Sequence, residues 1–134
     1  MRRMSVPGWL DDTRTSYDTV AVSYAGLDLV DDHLTGLLAW FSLIHVPDDE
    51  IPAVLAEFRR VLRPGGVLLL GFHAGDGSTL KTQGYGGHPM NVYVHRRPPG
   101  RVATWLDAGG FTVEAELVHR PAPNVEGGFV FAHR

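Results

Sequence analysis

The chain has no cysteine among its 134 residues. That single absence excludes disulfide scaffolds, thiolate metal sites and cysteine nucleophiles together. It also lacks an excess of positive charge: 12 Lys and Arg against 15 Asp and Glu leave a formal net charge of −3. Neutralising many phosphates needs a basic surface, so no nucleic-acid partner is expected, and Arg2-Arg3 and His95-Arg96-Arg97 are too short to change that. No apolar run approaches the roughly 20 residues of a membrane span. Met1-Arg2-Arg3-Met4 leads into Ser5-Val6-Pro7-Gly8 without an apolar signal core. A soluble, cytoplasmic protein without a membrane partner is expected. What the chain does have is 44% hydrophobic residues and 16 glycines, more than the average of about 7% would supply. Its length fits one domain over 1–134, able to bury roughly two thirds of the surface of the unfolded chain.

Residues 1–11 read as a flexible start. Over 12–25 a helix is expected, because Tyr17, Val20, Ala21 and Tyr24 recur at helical spacing after the capping aspartates. An acidic connector follows. The apolar run 36–46 lacks the alternation of a half-wet strand, which suits a strand covered on both faces. Pro47-Asp48-Asp49 opens a helix whose apolar face is Ile51, Val54, Leu55, Phe58, Val61 and Leu62, and Pro64-Gly65-Gly66 stops it. A second buried strand is expected over 67–73. Strand, helix and strand with short connections form a βαβ unit, so these two strands should be parallel. Residues 74–97 show no clear period and read as a Gly-rich loop. Pro98-Pro99 opens a short helix carrying Val102, Trp105 and Leu106, with strands at 111–119 and 128–133 after it. The sum is an α/β layer fold.

Several of these stretches are familiar. Glu57-Phe58-Arg59-Arg60-Val61-Leu62-Arg63-Pro64-Gly65-Gly66-Val67-Leu68-Leu69-Leu70 resembles the segment of class I S-adenosylmethionine-dependent methyltransferases that joins the helix after their fourth strand to the fifth. Leu43-Ile44-His45-Val46-Pro47 resembles the end of that fourth strand, and Leu106-Asp107-Ala108-Gly109-Gly110-Phe111 the turn into the family's last pair of strands. The stretch from Thr13 to Tyr24 is similar to the opening helix of small actinobacterial-type members. The resemblance covers roughly residues 12 to 133. It implies a strand order of first, second, fourth, third, with the fourth antiparallel to its neighbours.

The chain departs from the family at its start. The resemblance implies a glycine loop after the first strand and an acidic residue ending the second, which hold cofactor and ribose. Neither is present, because the chain steps from Tyr24-Ala25-Gly26 almost directly to Gly36. The expectation is a truncated Rossmann-like methyltransferase half-sheet of about four strands, with residues 36–134 as the C-terminal half of the fold. No cofactor is expected, S-adenosylmethionine being the alternative. Gly71-Phe72-His73-Ala74-Gly75-Asp76-Gly77 follows a strand, but no helix of useful length begins after it to aim N–H groups at a phosphate.

Seven histidines call for a weighing of acid–base chemistry. His45 and His73 are placed at the carboxyl ends of the two parallel strands, the edge where ligands of such sheets bind. They are the candidate base and acid, with Asp76 or Tyr85 to orient or assist; the competing reading makes them loop histidines bonded to backbone or water. No metal-binding spacing of histidines occurs. The resemblance places an acceptor pocket between the opening helix and the loops, which points to Tyr17, Tyr24, Tyr85, His88 and Met90. Tyr17 and Tyr24 equally fit simple packing. Trp40 is read as core or interface, Trp105 as core, and Glu114 and Glu116 as solvated. Losing the neighbour of the first strand would leave an unpaired edge over 37–44, so a homodimer through that edge is expected.

Overall fold

Residues 29–83, 86 and 89–134 are described by the computed structural model. The start 1–11, the helix expected over 12–25 and the substrate residues Tyr17, Tyr24, Tyr85 and His88 lie outside them. The apolar run beginning at Gly36 does form a strand, β1, spanning Leu34–Trp40. It is shorter than the expected 36–46. The chain turns at Phe41, whose φ of 54° breaks the extended conformation, and Leu43 and Val46 are buried from a loop rather than a strand. The expected cover on both faces is also absent among the described residues: β1 alternates, with Leu37 and Ala39 buried and Leu38 and Trp40 exposed, so continuous hydrophobicity marked neither the strand's end nor its burial.

A short 3-10 turn at Asp48–Glu50 leads into helix α1, Ile51–Val61. Pro52 sits in its first turn, where a missing N–H has no intrahelical partner to lose. The predicted face of α1 is the buried one: Ile51, Val54, Leu55, Phe58 and Val61. Strand β2, Leu62–His73, follows at once and pairs parallel to β1, Leu38 opposite Leu69 and Trp40 opposite Gly71. The βαβ unit is therefore as expected.

Residues 74–97 differ from the expected loop. They contain two antiparallel strands, β3 (Gly77–Gln83) and β4 (Pro89–Arg96), in a separate two-stranded sheet. Every residue of β3 is exposed, so no inward apolar face marked it in the sequence. Pairing across the hairpin takes over that role, with Ser78 opposite His95 and Thr79 opposite Val94. Helix α2 spans Pro99–Ala108, and β5 (Thr112–Ala122) and β6 (Val125–His133) form the closing hairpin. Its turn is Pro123-Asn124, where Asn124 takes a φ of 61°, a conformation asparagine tolerates better than most residues.

The main sheet has the order β1-β2-β6-β5, with β6 antiparallel to both neighbours. This is the order that the resemblance implies. One face carries Leu37, Ala39, Leu68, Leu70, Phe72, Val130 and Ala132, buried against the apolar faces of α1 and α2. Each of the leucine, phenylalanine and valine side chains contributes about 1.5–3 kcal/mol by leaving water. The opposite face is open: Leu38, Trp40, Val67, Leu117 and Phe131 are all exposed. Trp40 therefore stands outside the core, whereas Trp105 packs against it. Among the described residues no helix is long and apolar enough to cross a membrane.

Candidate functional site

The carboxyl edge of β1 and β2 is shaped by one buried cation that the sequence does not announce. Arg97, at the junction of β4 and α2, is 2% exposed. Its Nε donates to Asp48 Oδ1 at 3.0 Å, its Nη1 donates to the Leu43 carbonyl at 2.9 Å, and Nη2 donates to the Val46 carbonyl. The guanidinium lies over the Trp105 ring at 5.4 Å. Burial lowers the pKa of Arg97, while the hydrogen bond and charge of Asp48 raise it. A guanidinium is the group suited to this place, because its planar fork satisfies several acceptors at once. The two carbonyls bracket Ile44 and His45, so Arg97 fixes the loop that carries His45.

His45 is half-buried, and its Nδ1 donates to the Tyr93 carbonyl at 2.8 Å. In the neutral imidazole that bond leaves the lone pair on Nε2. The neighbouring Ile44 carbonyl accepts from the His95 N–H at 2.8 Å, so the loop docks along β4. His73 is the last residue of β2; its carbonyl accepts from the Arg97 N–H at 2.9 Å and its ring meets that of Phe41 at 5.2 Å. His95 pairs through Nδ1 with Ser78 Oγ at 2.6 Å and stacks on Tyr93 at 6.3 Å. Thus His45 and His73 lie within electrostatic reach of each other, and His95 within reach of His45.

Met90 is on β4, and Asp76 accepts from the Gly77 N–H and from Arg101 instead of orienting a histidine. Glu114 is exposed and pairs with His133. No set of three His, Asp or Glu among the described residues could hold a metal ion. From the sequence, Arg97 counts only as part of the short basic run His95-Arg96-Arg97, and His95 only as a residue of the long loop beside the two strand ends. An arginine before Pro98-Pro99 carries no mark of burial, and His95 gains its neighbours only when the hairpin forms.

The pKa of His73 is pushed below the ordinary 6.5, first by burial and then by Arg96, His45 and Lys81. That of His95 is pushed down by burial, then by Arg97, with Asp48 opposing and His45 adding to the fall. Between these lowered values and 6.5, the unfolded chain binds more protons than the folded one. Stability is therefore lost as pH falls through and below 6.5. A His73→Gln, His95→Gln double variant should show a flatter dependence of melting temperature on pH below that point. An unchanged slope would contradict the assignment.

No protein-family model and no curated protein matches this sequence. Solved structures do. A SAM-dependent methyltransferase from Methanosarcina mazei is similar at 19% identity and a TM-score of 0.70, over 83% of this chain and 64% of that one. The 1,6-didemethyltoxoflavin-N1-methyltransferase of Burkholderia thailandensis, solved with 1,6-didemethyltoxoflavin and S-adenosylhomocysteine, is similar at 21% identity and a TM-score of 0.66, over 83% of this chain and 48% of that one. The [4+2]-cyclase SpnF follows at 16% identity and a TM-score of 0.57, over 83% of this chain and 53% of that one. The chain has the α/β fold of SAM-dependent methyltransferases and spans about two thirds or less of the length of these structures.

Proposed function

We propose that this chain is a methyltransferase-like protein that does not hold S-adenosylmethionine and instead takes a small molecule at the carboxyl edge of β1 and β2, as a ligand-binding or interaction module of small-molecule biosynthesis in the cytoplasm. The observation that carries the reading is the place of β1. It is an edge strand, paired only with β2 among the described residues. Doubly wound folds bind nucleotides at the point where strand order reverses, using a glycine loop on one side of it and an acidic strand end beyond. The sequence ahead of β1 contains no Gly-x-Gly. Titrating S-adenosylmethionine and S-adenosylhomocysteine by calorimetry should give no saturable heat at roughly micromolar concentration. Saturable binding would overturn the proposal.

A second reading keeps catalysis. The chain would then be an enzyme, either a methyltransferase completed across a dimer or an acid–base catalyst using His45 and His73. The grouping of those histidines at the sheet edge favours it, as does the occurrence of a cyclase, SpnF, on the same fold.

The edge of β1 that has no strand partner among the described residues supports a homodimer. The segment Leu34–Trp40 contains no charge and no proline, the devices that normally discourage pairing at an exposed strand. Two copies of β1 paired antiparallel about a twofold axis would join two four-stranded sheets. The contact is confined to Leu34–Trp40 instead of reaching 44, because the chain turns at Phe41. Light scattering should give about twice the 14.7 kDa chain mass, and Leu38→Lys should shift the protein to monomer. A wild-type monomer at micromolar concentration would refute the dimer.

A further inference from the structure

On the open face of the sheet, three rings gather around a position that has no side chain. Gly71 on β2 stands between Trp40 on β1 and Phe129 on β6. A Cβ there would lie 3.1 Å from the Trp40 ring and 3.3 Å from that of Phe129. Glycine therefore lets the two rings meet, 5.3 Å between centroids and tilted by 32°. Phe41 adds a third ring, edge-on to Trp40 at 5.2 Å and to Phe129 at 6.1 Å, and its ring also contacts the His73 imidazole. It reaches that place through a φ of 54°, a conformation that costs an L-residue on the order of 1–2 kcal/mol.

Strain and a cleared glycine position are unusual supports for a cluster that remains open to water. Trp40 is 52% exposed, while Phe58, Phe72 and Phe111 are buried in the core. The polar end of the cluster has a definite sign. Arg96, held by Thr79 Oγ1 at 3.0 Å, and Lys81 both act on His73. Among the described residues the carboxylates of this region are paired, Asp48 with Arg97 and Arg101, Asp76 with Arg101, and Glu126 with Arg120. Ring faces alone would attract a cation, but the cationic groups at the His73 end oppose one.

We infer that this edge binds a planar aromatic molecule carrying an acidic oxygen, its ring laid on Trp40 and Phe129 and its oxygen directed to His73 beside Arg96. This names the ligand class of the proposed function and rests on that reading.

Three probes test it on the full chain by calorimetry and NMR: benzoate, cyclohexanecarboxylate and phenyltrimethylammonium. Benzoate should bind saturably and shift the Trp40 indole and His73 ring signals. Cyclohexanecarboxylate has the same charge without a flat ring and should bind about tenfold more weakly; the ammonium should not saturate. Trp40→Leu and His73→Gln should each weaken benzoate binding while thermal unfolding shows them folded. Should Trp40→Leu fail to fold, His73→Gln and the probe series still decide. Equal affinity for benzoate and cyclohexanecarboxylate would overturn the aromatic class and leave the small-ligand reading standing. Saturable S-adenosylmethionine binding would overturn that reading instead. Preference for the ammonium, no binding of any probe, or unchanged benzoate affinity in both variants would overturn the inference.

Discussion

Replacing Arg97 with methionine is expected to destabilise the protein by about 2–5 kcal/mol, the cost of leaving two buried carbonyls without donors. Leu43 is 6% exposed and Val46 is fully buried, so water cannot take over the bonds that the guanidinium makes to their carbonyls. Methionine fills much of the space over Trp105 but offers no donor. Arg97→Lys should recover only part of the loss, since an ammonium keeps the charge without the planar fork. Asp48→Asn should cost less than about 1 kcal/mol, as expected for an ion pair with a solvated member; Asp48 is half exposed. Urea denaturation gives all three values, and the order Met, Lys, Asn in falling effect is the expected result. The same arginine holds the loop carrying His45, so the His45 ring signals should broaden or shift in Arg97→Lys even where the fold survives. A methionine variant within experimental error of wild type would refute this account.

Gly128→Ala is the second large effect, and it is one of overcrowding. A Cβ at Gly128 would lie 2.4 Å from Phe72 Cε2 and 2.7 Å from Cζ. Phe72 is directly opposite Gly128 in the β2–β6 pairing and is 4% exposed, packed in the core. Its ring must leave its position or the strands must part, at a cost of about 1–3 kcal/mol and towards the upper end. Phe72→Leu removes ring volume at the same spot and costs stability through the space it leaves. The two changes should partly cancel. The double variant is expected to be more stable than the sum of the singles by about 0.5–3 kcal/mol. Strict additivity would mean that the ring and the glycine do not share the space as described.

Much of the helical layer was legible in the sequence. Ile51, Val54, Leu55, Phe58 and Val61 recur at the helical period because one face of α1 meets a sheet, and that face is the one buried. The helix stop was read too late: α1 ends at Val61, and Pro64-Gly65-Gly66 lies within β2, where Gly65 takes a φ of 79°. The order of the main sheet followed from the resemblance and is the order found. The misread stretches share a physical cause. Leu43, Ile44 and Val46 are apolar because they fill the core from a loop, and their hydrophobicity is that of a buried strand. Residues 77–83 and 89–96 pair with each other across a hairpin, and every residue of β3 is exposed, so no apolar period marks it.

The sequence by itself determined the fold class, the βαβ unit, the placing of His45 and His73 toward one edge, and the lack of any thiolate chemistry. Those properties depend on composition and on local periodicity, which the chain carries residue by residue. Only the tertiary structure decided that Arg97 is buried, that His95 joins the histidines, and that Trp40, Phe41 and Phe129 meet over Gly71. Each of these depends on partners far along the chain: Leu43 and Arg97, Ser78 and His95, Trp40 and Phe129. A hydrogen bond or ring contact across such a separation exists only after the strands have taken their places, and no local pattern records it.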